Sequence, residues 1–67
     1  MIIKITHELQ QALRGIPTKD EELSRLLPLL PDWLPGLAER GQVIIMERTD
    51  YEQIPAEAWA YFQVIKF

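Results

Sequence analysis

Cysteine is absent from the 67 residues, so neither a disulfide nor a thiolate metal site can form. Histidine occurs once, as His7, and serine once, as Ser24. Nucleophilic catalysis needs a nucleophile, a base and usually an orienting group. Ser24 falls inside a predicted helix, whereas such a nucleophile belongs on an exposed, strained turn. His7 and Glu8 are neighbours on a predicted helix and point about 100° apart, away from any shared metal ion. The run Asp20-Glu21-Glu22 sits where a helix N-terminus favours negative charge, which accounts for it without a ligand. Glycine is sparse as well: Gly15, Gly36 and Gly41 are too dispersed for a phosphate-cradling loop. The sequence therefore reads as non-enzymatic, with no cofactor and no metal.

Long apolar runs are also missing. None approaches the roughly 20 residues required to span a bilayer, and the opening Met1-Ile2-Ile3-Lys4-Ile5-Thr6 lacks the apolar core and cleavage site of a secretion signal. A cytoplasmic chain without a membrane association is the expectation, consistent with the lack of cysteine. Positive charge is scarce too. Seven basic residues face ten acidic ones, giving a net charge of -3 and a pI near 4.9. Lys4, Arg14, Lys19, Arg25, Arg40, Arg48 and Lys66 are scattered singly. Binding to nucleic acid draws on phosphate neutralisation by clustered Lys and Arg, so a nucleic-acid partner is disfavoured.

What the chain does have is apolar material. Hydrophobic residues make up 48% of it, including Trp33 and Trp59, enough for a real core. Its length allows one domain, 1–67, which buries only about 60% of the surface it exposes when unfolded.

Residues 2–5 are rich in β-branched side chains and predict a strand. Thr6 is a candidate N-cap for a helix over 7–14, with Leu9, Ala12, Leu13 and Ile16 facing the core. Gly15 suits a left-handed position after that helix and Pro17 a stop. Thr18-Lys19-Asp20-Glu21 matches a capping box, with Thr18 as N-cap of a second helix that ends or kinks near Leu27, before Pro28. Asp32 is a candidate N-cap for a short third helix over 33–40 burying Trp33, Leu34 and Leu37, with Pro35 in its first turn and Gly41 closing it. Residues 42–49 read as a strand that is apolar on both faces and therefore interior to the sheet. Residues 50–57 read as a loop with a helical turn after Pro55, and 60–67 as a last strand, antiparallel to 42–49 if the two pair through the 50–59 loop, with the first strand joining one of them.

The order β-α-α-α-β-β predicts an α+β domain: a sheet of about three strands against two to three short helices, in an arrangement that is winged-helix-like. The candidate recognition helix at 33–40 has one basic residue, however, and the candidate wing carries Asp50, Glu52 and Glu57, which repel phosphates.

By elimination, the sequence reads as a protein–protein interaction module or small subunit, docking to another protein or to itself as a homodimer. Trp33, Leu34, Tyr51, Glu52, Trp59 and Tyr61 are the candidate partner-binding residues, because large aromatic groups anchor interfaces while losing few rotamers. The last strand offers an edge for pairing. Two alternatives accompany this reading. One is a winged-helix nucleic-acid-binding protein. The other is a small acidic inhibitor, of phage or mobile-element type, of a nucleic-acid-processing complex, using Glu47, Asp50, Glu52 and Glu57. The charge argument predicts no retention on generic duplex DNA even at low salt; salt-sensitive binding in a mobility-shift titration contradicts it.

Overall fold

Ile2–Ile5 form strand β1, and Thr6 ends it by capping the helix that follows. In the computed structural model, which describes all 67 residues, the Thr6 hydroxyl accepts the Leu9 amide at 3.1 Å. Helix α1 spans His7–Leu13, and Gly15 beyond it adopts φ of +89°, a left-handed conformation that Cβ-bearing residues resist. Leu9 is fully buried, whereas Ile16 is exposed rather than in the core, because the turn at Gly15 redirects the chain away from the helix face. Gln10 is the one buried polar residue; its amide Nε2 donates to the Ala38 carbonyl at 3.3 Å and ties α1 to the third helix.

Helix α2 covers Glu21–Leu26 and starts two residues later than a Thr18 cap implies. Asp20 is the N-cap: its Oδ1 accepts the Leu23 amide at 3.2 Å. The Thr18 hydroxyl instead accepts the Asp20 amide at 3.1 Å, forming a turn that presents Asp20 to the helix. Two side chains competed for one cap, and the better-charged acceptor took it. Pro28 then converts the chain to a 3₁₀ turn over Leu27–Leu29.

Helix α3 is a single turn, Leu34–Leu37, shorter than the expected 33–40. Its N-cap is Trp33, with no side-chain capping bond, so Asp32 does not cap it. Leu34 is buried, Trp33 is partly buried against the core, and Leu37 is exposed.

Strand β2 is also shorter than expected, Val43–Ile45. Arg48 and Thr49 belong to helix α4, Arg48–Glu52. Asp50 stops the strand: its Oδ2 accepts the Glu47 amide at 3.4 Å, turning the chain into the helix where a loop was expected. A 3₁₀ segment, Ala56–Tyr61, follows Pro55, and strand β3, Phe62–Lys66, completes the sheet.

The strand order is β2-β1-β3, with both flanking strands antiparallel to β1. Strands β2 and β3 therefore run parallel to each other, on opposite sides of β1, and do not pair. The expected hairpin is absent, and with it the wing of a winged helix. The expected α+β architecture holds: three strands carry helices on one face. Ile3, Ile5, Ile44, Met46 and Phe62 turn to that face and meet Leu9, Leu23, Leu26, Leu34, Ala38, Ile54 and Ala58 in one core cluster. No helix is long and apolar enough to cross a membrane.

Because Asp20 caps α2 directly while Thr18 only shapes the approach, Asp20→Ala is expected to lower stability by about 1–2 kcal/mol, and Thr18→Ala by less. Urea denaturation of both variants checks the order; an equal or reversed loss contradicts it.

Candidate functional site

Three surfaces present chemistry. The first is a groove of about 350 Å³ between the start of α1 and residues 16–20, walled by His7, Glu8, Gln11 and Lys19 among others. At its edge, the Tyr61 hydroxyl donates to Asp20 Oδ2 at 3.1 Å, the only hydrogen bond between two side chains in the molecule. Asp20 thus uses one carboxylate oxygen for the helix cap and the other for Tyr61, which fixes the start of α2 to the end of the 3₁₀ segment preceding β3. The phenol of Tyr61 is pushed above its ordinary value, first by partial desolvation, then by its hydrogen bond to Asp20, then by repulsion from the carboxylates of Asp20, Glu22 and Glu8. Neither His7 nor Ser24 makes a side-chain hydrogen bond to this group or to the other, and no three His, Asp or Glu side chains converge as metal ligands.

The second surface is aromatic. Tyr51 on α4 stacks on Trp59, with ring centroids 5.4 Å apart and planes 15° from parallel. The edge of Tyr51 meets Phe62 at 6.4 Å. The stack is thereby seated on the core, with Trp59 42% exposed at its outer end. Glu52 stands beside it on α4 and pairs with Arg48 at 3.6 Å, both side chains solvent-exposed, so the acidic run Glu47–Glu57 is interrupted by a cation.

The third surface is the outer face of the sheet. Alternation along the strands places Ile2 and Lys4 of β1, Val43 and Ile45 of β2, and Gln63 and Ile65 of β3 opposite the helical layer. The register sets Lys4 between Val43 and Gln63, and Ile2 beside Ile45; a β-bulge at the Ile2 end of β3 brings Lys66 opposite Ile2. Val43 is 59% exposed, Ile45 71%, Ile65 53% and Phe67, which follows β3, 89%. No helix or loop covers them.

The six residues singled out by the sequence do not form one site. Tyr51, Glu52 and Trp59 lie together. Tyr61 is engaged with Asp20, and Trp33 packs against the core at the start of α3. Leu34 is completely buried and has no surface to offer a partner, because the proline-broken segment turns it inward while exposing Leu29 and Leu37 instead. Sequence reasoning missed the outer sheet face. Its signal is the uninterrupted run Val43-Ile44-Ile45-Met46, which as sequence reads as interior to the sheet; the strand is in fact an edge, and half of that run faces outward.

No protein-family model, curated protein or solved structure matches the chain, so geometry and chemistry carry the functional reading.

The Tyr61 assignment has a pH consequence. A phenol whose folded-state pKa is raised loses its proton first in the unfolded chain, near pH 10. Its contribution to stability is complete below that value and is lost as pH climbs through the folded-state pKa. Asp20→Asn retains a capping oxygen but removes the carboxylate that accepts the Tyr61 hydrogen bond. It is expected to bring the Tyr61 midpoint down toward the ordinary value. Ultraviolet phenolate titration, with Tyr61→Phe identifying the signal, checks this; an unchanged midpoint contradicts it.

Proposed function

We propose that the protein works by docking: a non-enzymatic protein–protein interaction module whose contact surface is the outer face of its sheet. The observation that carries this reading is the exposure of Val43, Ile45 and Ile65 on a sheet face with no covering layer, with the exposed Phe67 following the end of β3. A β-sheet that is apolar on both faces is the pattern of a sheet buried on both faces. Here a single helical layer covers one. Scattered exposed apolar residues are ordinary, but a contiguous group across paired strands marks an interaction surface.

Charge supports a protein rather than a nucleic acid as the partner. The outer face carries Lys4 and, at its bulged end, Lys66, with the other five basic residues dispersed over the helices and turns. Phosphate recognition needs more positive charge than two lysines on an aliphatic surface provide. The side chains that the strands present on this face are aliphatic or polar, so it offers no row of aromatic rings on which successive single-stranded bases stack. The Tyr51–Trp59 stack beside Glu52 is a secondary anchor, available to the same partner or to another.

The test compares affinity capture from the source cells by the wild-type chain, by Ile45→Glu on the outer face, and by Arg25→Glu on the helical side. A protein retained by the wild type and by Arg25→Glu, but lost with Ile45→Glu, is the expected result. A partner retained equally by all three, or retained only through Arg25, contradicts the assignment of the face.

A further inference from the structure

We infer that the Trp59 indole is a platform for an arginine side chain of a partner protein. This surface is separate from the outer sheet face, so the inference stands whether or not Ile45→Glu abolishes capture.

The platform is built from the core outward. Phe62 is buried at the start of β3, Tyr51 meets it edge to face, and Trp59 stacks on Tyr51 in turn. Tyr51 lies against one face of the indole, so the 42% exposure of Trp59 is weighted toward the opposite face and the rim. A large ring held in this way has little rotamer freedom left to lose when a partner lands on it.

Charge selects the occupant. Residues 47–61, which carry both stacked rings, hold Glu47, Asp50, Glu52 and Glu57 against Arg48 alone. The six acidic and six basic residues elsewhere cancel, so the whole net charge of -3 resides in this stretch. Asp50 and Glu52 are the chain neighbours of Tyr51, about 3.8 Å from it between Cα atoms, and Glu57 is two residues from Trp59. Their charges stand on the order of one Debye length from the rings, about 8 Å at physiological salt. Arg48 meets Glu52 at 3.6 Å with both side chains exposed, a pairing of small worth that an incoming cation can replace. The electron-rich face of an indole inside a negative field attracts a cation. The same field repels phosphates, which sets nucleic acid aside although its bases also stack on tryptophan.

Shape separates arginine from other cations. Tyr51 and Trp59 lie 15° from parallel on each other rather than as walls around a cavity. They therefore do not make the cage that encloses a quaternary ammonium. A single flat face suits a planar guanidinium, which stacks on the ring and keeps its N–H donors free for carboxylates. The lysine ammonium is a strongly hydrated point charge and gains less from such a face. A neutral sugar ring would use the face without using the charge.

Titration of the isotope-labelled full chain with a capped hexa-arginine peptide, followed by nuclear magnetic resonance, tests this. Trp33, packed against the core, is the internal reference. The Trp59 indole resonance is expected to move while that of Trp33 does not. The dissociation constant is expected to be several-fold lower than for a hexa-lysine peptide and to rise with salt. Trp59→Leu, which keeps an apolar cover on Tyr51, is expected to abolish the preference for arginine over lysine. Glu52→Gln combined with Glu57→Gln, both at exposed positions, is expected to weaken the arginine peptide several-fold; circular dichroism confirms that the variants remain folded. A Trp59 resonance that stays still at millimolar peptide overturns the inference. Equal response to the two peptides, or an arginine preference that survives Trp59→Leu, removes the ring from the contact and overturns it too. Binding that is insensitive to salt and to the paired glutamine variant, or a response to neutral maltohexaose alone, overturns the choice of a cationic occupant.

Discussion

The central position of β1 is the constraint on which the rest of the structure depends. It comes first among the strands in sequence and lies in the middle of the sheet, hydrogen-bonded on both sides. Ile3 and Ile5 are essentially without solvent contact and form the floor of the core. Every strand pairing is consequently long-range: β1 meets β2 across nearly forty intervening residues and β3 across more. The Gln42 side chain shows how tightly that distant join is made. Its Nε2 donates to the Ile5 carbonyl at 2.9 Å, while the main-chain carbonyl of Gln42 accepts the Ile5 amide at 2.8 Å. Non-local closure of this kind carries an entropic cost that local helical contacts do not.

That topology also explains the arrangement of the connecting segments. Because β2 and β3 are parallel and separated by β1, the chain must cross the sheet between them. Helix α4 and the 3₁₀ segment make the crossing on the same side as the other helices, burying Ile54 and Ala58 beneath them. All helical material thus accumulates on one face. Asp20 then ties the end of the crossing to the start of α2 through Tyr61, so that one carboxylate serves a helix cap and an inter-element bond together. The other face of the sheet is left uncovered as a direct result of how the chain is routed.

Local signals in the sequence were legible where one residue type has one physical use. Thr6 as a cap, Gly15 in a left-handed turn and Pro28 as a helix terminator are each found where chemistry placed them. Ambiguity entered where two residues could perform one task, as with Thr18 and Asp20. It also entered where a short polar pattern overrode an apolar run: Glu47 and Asp50 end β2 early and start α4. The order of strands was not legible, since a hairpin and a crossover both join two extended segments. Nor was the edge position of β2, because a strand apolar on both faces reads alike whether a neighbouring strand or a separate molecule completes its surroundings. The candidate site was correspondingly half visible: Tyr51, Glu52 and Trp59 do lie together, while Leu34 is core and the outer face went unread.

A small domain has few ways to raise its stability, and this one has neither disulfides nor a metal cluster among its residues. Its one core cluster contains twelve buried apolar residues, while eight large apolar side chains remain exposed. Half of those eight lie on the outer sheet face or immediately beyond it. Covering that face converts hydration of apolar surface into packing and raises the free-energy gap between folded and unfolded chains by mass action. It also places β1 between two layers, so that the strand on which all pairing depends is sheltered from both sides. Under the proposed docking, association and folding are parts of one equilibrium, and the outward residues of β2 and β3 that would meet the partner would also shelter the centre of the fold.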